Sequence, residues 1–423
     1  MSQQQTRRET LPLWRRNLYV LWLAQFLAMT GMSSCVPFLP KFITELGVQN
    51  QQEAQFWSGL VFSGPFLVSF LTTPIWSALG DKYGRKMIVL RAVFGLAASM
   101  ICMGFSHSVL ELLFWRIVQG AVSGFVAANL SFVSAETPKE HVGYSIGVLQ
   151  SSQSAGNILG PFMGGLISWA WGMRSVFWIV GGLAIVSGIL IWTLLVEGNR
   201  SETQRSNAST ARENVRMAFT SIDLRTVLIL IVVSQMSIVF TTPIFPFYLK
   251  DLGTPKEWLD IATGTFVGIV GLCTLIFAPR WGKRNDAKGY RKTIVVTAFV
   301  VGISTILQAF VPNVYLLFAL RVVIGIFIAG IVPSLSTALS KLSPENIRGG
   351  IMGLASSAML FGNLLSPPFS GWISSSIGEY GIRVCFAIAG VLMLLVSGGA
   401  TRLRDIVKEE RDAHRIHTHE IHA

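Results

Sequence analysis

Pro37-Phe38-Leu39-Pro40 is answered 206 positions later by Pro243-Ile244-Phe245-Pro246. Sliding the sequence along itself by 205 or 206 positions also lays Asp81 on Asp286, Arg116 on Arg321, Pro138 on Pro344 and Gly156-Asn157 on Gly362-Asn363. A repeat of half the chain length means two similar halves. Both copies are built of long apolar stretches, so the duplicated unit is a helical bundle embedded in lipid. Two such bundles facing each other across a pseudo-two-fold axis enclose a path between them, which is the plan of a transporter.

Composition agrees. With 51% apolar residues, 13% charged residues and a mean hydropathy of +0.55, the 423-residue chain has too little polar surface to cover a water-soluble globule. A bilayer core of about 30 Å takes roughly 20 apolar residues per helix. Twelve stretches fit: 18–43, 56–79, 88–106, 110–135, 143–168 and 174–196 in the first half, then 225–249, 261–280, 293–311, 314–339, 350–377 and 382–400. The expected fold is an all-α membrane protein of twelve transmembrane helices in two pseudo-symmetric six-helix bundles. Residues 1–196 form the first bundle, 197–222 a polar linker, 223–400 the second bundle and 401–423 a charged tail.

The formal charge of +12 follows topology rather than nucleic-acid binding. Apart from Arg116 and Arg321 inside helices, and Lys41, Arg174, Lys250, Lys256 and Arg383, every Lys and Arg falls on the side that holds the N-terminus. That bias places both termini in the cytoplasm. The polar, basic first 17 residues and the long apolar span after them predict no cleaved leader. Cys35, Cys102, Cys273 and Cys385 lie in apolar spans without CxxC spacing and predict neither disulfide nor zinc. The tail carries His414, His417, His419 and His422; it reads as a solvated tail, and no metal or other cofactor is expected. No loop is long enough to house a catalytic domain and no Ser/His/Asp set faces a common space, so an enzyme is not expected.

Four stretches carry the chemistry. The loop Ser77-Ala78-Leu79-Gly80-Asp81-Lys82-Tyr83-Gly84-Arg85-Lys86 suits a latch: Gly84 permits a tight turn, Asp81 can sit at a helix N-terminus, and Arg85 can take a carboxylate in a fork. A plain topology anchor would read the same way. The loop resembles the signature between helices two and three of the major facilitator superfamily, with Ser77 where that signature opens on Gly, and Gly282 to Arg291 resembles a decayed second copy. Gly31 with Pro37-Phe38-Leu39-Pro40, Arg116-Ile117-Val118-Gln119-Gly120, and Gly156-Asn157-Ile158-Leu159-Gly160-Pro161-Phe162-Met163-Gly164-Gly165 resemble motifs of its twelve-span drug:proton antiporters. Trp14 to Leu18 and Trp57 to Ser63 are similar to the bacterial multidrug-exporter type within that family.

The resemblance implies roles. Arg116, with Arg321 as its repeat partner, is expected to line the cavity and take part in proton transfer, since a cation inside a span is costly unless it faces protein or water. Glu136 is the expected fork partner of Arg85, with Asp81 capping the eleventh helix near Gly349. Gly156, Gly160, Gly164 and Gly165 recur on one helix face and Pro161 bends it, the build of a gate or of close small-residue packing. No acid lies at mid-membrane depth, which departs from exporters of lipophilic cations; Glu111, Glu136, Glu45 and Asp251 remain as proton carriers. The expected cavity wall is Gln25, Met29, Met32, Asn129, Gln150, Asn157, Gln235, Met236, Met359 and Asn363, where polar and soft residues interrupt apolar runs. The function so implied is proton-coupled multidrug efflux by alternating access in the bacterial inner membrane, with small-molecule substrates, protons and lipid as partners and a monomer as the working unit. An exporter of one anionic or zwitterionic metabolite, such as a siderophore, is the alternative.

Overall fold

A computed structural model describes residues 12–122, 124–138, 141–198, 217, 220–344 and 348–405. The His-bearing tail, most of the linker and the side chains of Asp81 and Asp286 lie outside the described residues.

Every regular element among the described residues is helical, as lipid demands, because a helix satisfies its backbone groups within its own segment. In chain order the spans are α1 Leu13–Glu45, α2 Gln51–Tyr83, α3 Arg85–Gly104, α4 in two pieces Val109–Val122 and Phe125–Glu136, α5 Val142–Trp171 and α6 Met173–Leu194. The second half repeats them as α7 Ile222–Asp251, α8 Leu259–Lys288, α9 Tyr290–Gln308, α10 in two pieces Val314–Ile328 and Ile331–Leu342, α11 Arg348–Ser376 and α12 Gly381–Ala400. Nine helices among the described residues are long and apolar enough to cross a membrane. α2, α5 and α11 make up the twelve; Gly, Ser, Pro, Gln and Asn interrupt α5 and α11, and at 33, 30 and 29 residues the three match the others in length. With six crossings per half, the described chain ends share one end of the molecule, the termini end; the far end carries residues 46–50, 172 and 252–255.

Four spans expected to be continuous are broken. Pro37 and Pro243 lack a backbone N–H, so α1 and α7 tighten into single 3₁₀ turns at Val36–Phe38 and Thr242–Ile244 before resuming. α4 breaks beside Gly124, which sits in the left-handed region at φ +100°, and α10 breaks at Ala329 and Gly330. The repeat persists down to single hydrogen bonds. Trp76 Nε1 donates to Ala121 O at 2.7 Å and Trp281 Nε1 to Ile326 O at 2.8 Å; Ser69 Oγ donates to Gly120 O and Thr274 Oγ1 to Gly325 O.

Within the first half α1 packs on α5 and α6, and α3 on α6; within the second, α7 packs on α11 and α12, and α9 on α12. Between halves α2 meets α11 and α5 meets α8. These crossings are backbone on backbone. A methyl group at Gly59 would lie 2.3 Å from Pro367 O, and its repeat mate Gly264 would place one 2.5 Å from Pro161 O. Both glycines sit within the first turns of helices that start at the far end, so the halves interlock there.

Candidate functional site

Buried charge identifies what the fold has to compensate. Asp260, in the first turn of α8, is 6% exposed. Its Oδ2 accepts from Lys41 Nζ of α1, and from Ser168 Oγ of α5 at 2.8 Å. Lys41 Nζ also donates to Ser168 Oγ at 3.3 Å. This triad joins the two halves, and at the same end Gln51 Nε2 of α2 donates to Asp251 Oδ1 of α7 at 3.2 Å. Glu45 and Asp251 were the far-end acids suggested by the sequence; Asp260 was not. Its only sequence signal was an acid four residues from Lys256, and nothing local shows that Lys41, 219 positions away, closes over it.

At the termini end the carboxylates among the described residues stay within their own half. Glu197 Oε1 accepts from the backbone amide of Arg85 at 2.8 Å and its Oε2 from that of Lys86 at 3.3 Å, capping the N-terminus of α3. The turn that presents those amides needs Gly84 at φ +105°. Asp405 repeats the arrangement beside Gly289, accepting from the amide of Arg291 at 3.1 Å. The fork expected between Arg85 and Glu136 is replaced: Arg85 Nη1 donates to Ser131 O at 2.6 Å, and Glu136 Oε2 accepts from the amide of Gly198 at 2.9 Å. Lys86 Nζ donates to Trp192 O and Leu195 O, so the loop binds to α6 of its own bundle.

Glu111 belongs to a capping box and not to a cavity. Its Oε2 accepts from the amide of His107 at 2.8 Å while Ser108 Oγ accepts from the amide of Glu111 at 3.2 Å, at an exposed helix start. Arg116 is 4% exposed and held by neutral groups, Nε to Val61 O at 3.1 Å and Nη1 to Gln119 Oε1 at 2.8 Å, instead of lining open space. Arg321 lies over the ring of Phe245, 3.9 Å from its centroid.

The expected cavity wall divides. Gln25 and Asn129, 1% and 0% exposed, are internal ties: Asn129 Nδ2 donates to Gln25 Oε1 at 2.8 Å, and Gln25 Nε2 to Leu149 O at 3.0 Å. Met29 is buried, and Met32 and Met359 pack against the cores of their halves. Gln235 and Asn363 bond to each other at 2.8 Å across α7 and α11, with Met236 partly exposed beside them. Gln150, Ser154 and Asn157 are exposed on one face of α5 at i, i+4 and i+7, a polar stripe that sequence spacing supports. The glycine motif likewise has two jobs. Gly156, Gly160 and Gly164 seat α5 on Met29, Thr30, Ser33 and Ser34 of α1, whereas Pro161 and Gly165 meet Gly264 and Asp260 of the other half.

This pairing of pseudo-symmetric bundles is matched by known proteins. The sequence profile of the Major Facilitator Superfamily matches residues 21–272 and 227–417. The chain belongs to the major facilitator superfamily. It is 30% identical over 385 residues to the multidrug resistance protein MdtG of Serratia proteamaculans, covering 90% of this chain and 92% of that one. The MdtG of Proteus mirabilis is 28% identical over 377 residues, covering 88% and 92%. Among solved structures, a bacterial homologue of the human lysosomal transporter Spinster in an inward-facing, unoccupied conformation superposes with a TM-score of 0.76 at 16% identity, covering 92% of this chain and 97% of that one. The human organic anion transporter MFSD10 gives 0.67 at 16% identity, covering 92% and 100%. These structures share the fold. The protein is therefore a multi-pass membrane transporter and not an enzyme.

Proposed function

We propose that this transporter is a proton-coupled multidrug exporter of the MdtG type, working by alternating access in the bacterial inner membrane with both termini in the cytoplasm. The observation that carries the reading is that, among the described residues, the bonds between halves lie at the far end. The Lys41, Ser168 and Asp260 triad, the Gln51 to Asp251 bond and the Gly59 and Gly264 crossings all lie there, while Glu197 and Glu136 at the termini end serve their own bundle. With the termini inside, this is the state open to the cytoplasm. The exposed stripe of Gln150, Ser154 and Asn157 then faces the substrate path, and assorted lipophilic compounds suit a wall that offers scattered polar contacts and soft side chains.

Asp260 is the acid we assign to coupling, because its carboxylate is the one that leaves a cation when the far end opens. A proton moving down 100 mV supplies about 2.3 kcal/mol, which raises the gradient of an uncharged substrate by about fiftyfold.

Uptake of a lipophilic drug into inverted membrane vesicles, with and without an imposed pH difference, tests direction and coupling together. Uptake that rises when the vesicle interior is acidic, and falls in Arg116→Ala through loss of the α2 to α4 tie, is expected. Accumulation indifferent to pH would remove proton coupling, and uptake only of anionic metabolites would favour the specific exporter.

A further inference from the structure

The two halves bury the same arginine with different partners. Arg116 Nε has Val61 O and its Nη1 has Gln119 Oε1. Position 119 falls on Ile324 in the repeat, so Arg321 has no such amide, and its Nε is closed to solvent without an acceptor. The neighbouring packing changes in step. Met100 and Met103, both 0% exposed, fill the first bundle where the repeat has Thr305 and Gln308. Thr305 is shorter than the methionine it replaces and Gln308 is polar at the same length, and beside them lies a cavity of about 170 Å³ inside the second bundle, lined by Thr241, Thr242, Phe245, Thr305, Gln308 and Arg321 among others. Gln308 is 1% exposed and its Oε1 is unpartnered as well. Among the described residues, no Asp or Glu lines the cavity.

We propose that this cavity is a binding site for a monovalent anion, either the carboxylate of a small organic molecule or a halide, held by Arg321. A guanidinium at this depth needs acceptors or a counter-charge; Arg116 has two neutral acceptors, whereas the Phe245 face offsets only part of the desolvation of Arg321. An anion supplies that charge and accepts from the idle Nε. Thr241 and Thr242 add hydroxyl donors, and the Gln308 amide presents its NH₂ in place of its oxygen by a half-turn that keeps its shape. The volume is several times the roughly 30 Å³ share of a water molecule, enough for a small carboxylate. Arg321, Thr242, Ile238 and Ile328 keep partial exposure, so the cavity is not sealed. The proposal goes beyond drug efflux and does not depend on it.

The test uses the purified full-length protein in detergent, unfolded by heat at constant ionic strength in sodium gluconate, with acetate, chloride or neutral acetamide added. A saturable rise in Tm with acetate, and none with acetamide, is expected; a response to chloride as well marks a halide-type site, and a response to acetate alone a carboxylate site. Arg321→Gln should weaken apparent anion affinity at least about tenfold. The double variant Thr305→Met with Gln308→Met keeps the arginine but fills the cavity as the first half does, and should lose the response while melting higher. Equal stabilisation by acetamide, no response to either anion, or an unchanged response in the double-methionine variant would overturn the proposal. Since no transport is measured, that failure would leave the efflux reading intact.

Discussion

At the far end of the molecule two carboxylates, Asp260 and Asp251, bond across the two halves, and at the termini end the carboxylates among the described residues bond within them. Asp260 takes Lys41 and Ser168, and Asp251 takes Gln51, all from the opposite half. Glu197 takes the amides that open α3, Glu136 takes Gly198, and Asp405 takes Arg291, each within its own half. The two sets face different demands. Contacts of the first kind have to be made and broken if the bundles rock, whereas contacts of the second kind travel with a bundle and keep it rigid. Strong, saturated caps suit the termini end, and a dissociable ion pair with one partly exposed partner suits the far end.

The largest expected effect comes from blocking closure at the far end. Gly59→Leu forces a side chain toward Pro367 O, a backbone atom that cannot step aside within its own helix. Overpacking of this kind costs about 1–3 kcal/mol, and here the cost falls only on the closed state, so the open-to-closed ratio shifts by roughly 5- to 150-fold. Transport should be nearly abolished while the protein still inserts and melts cooperatively. Gly282→Ala, where a methyl group meets nothing within 4 Å, is the control and should transport normally. Normal transport by Gly59→Leu would mean that the halves do not close on this glycine.

A smaller effect is expected from the ion pair. Asp260→Asn keeps the shape but leaves the Lys41 ammonium with Ser168 and an amide. Truncating one member of a buried charge pair costs about 2–5 kcal/mol, but Lys41 keeps about a third of its side chain exposed, so screening reduces the figure to about 1–2 kcal/mol. A cysteine introduced at Gln55 and labelled from outside with an impermeant maleimide should then react about tenfold faster. Drug uptake should also lose its dependence on the pH difference. Unchanged labelling together with retained coupling would detach Asp260 from both gate and proton.

The sequence made the frame legible and the gate only in part. The half-length repeat, the twelve spans and the family could be read because they rest on periodicity and local motifs. The breaks at Pro37 and Pro243 follow from the missing N–H, yet a hydropathy reading runs through them because a single 3₁₀ turn keeps the side chains apolar. Asp260 escaped because its meaning depends on a lysine from the other half. Gln25 and Asn129 misled for a related reason. Buried amides that satisfy each other look, residue by residue, like amides facing a cavity. Glu136 had a plausible partner in Arg85, but the nearby amide of Gly198 holds it in this conformation.

The smallest effect separates rigid bodies from gate. Glu197→Gln and Asp405→Asn each replace a charged cap by a neutral one that still accepts a hydrogen bond, so each should cost less than full cap removal, about 0.5–1 kcal/mol. Because both caps lie within one half, the loss should appear as a modest drop in Tm and leave the reactivity of the far-end cysteine unchanged. The two should also behave alike, since Glu197 and Asp405 do the same work beside Gly84 and Gly289. If either substitution altered far-end labelling as strongly as Asp260→Asn, its carboxylate would have to contribute to the balance between the two states. The division between contacts that travel with a bundle and contacts that break would then fail at that position.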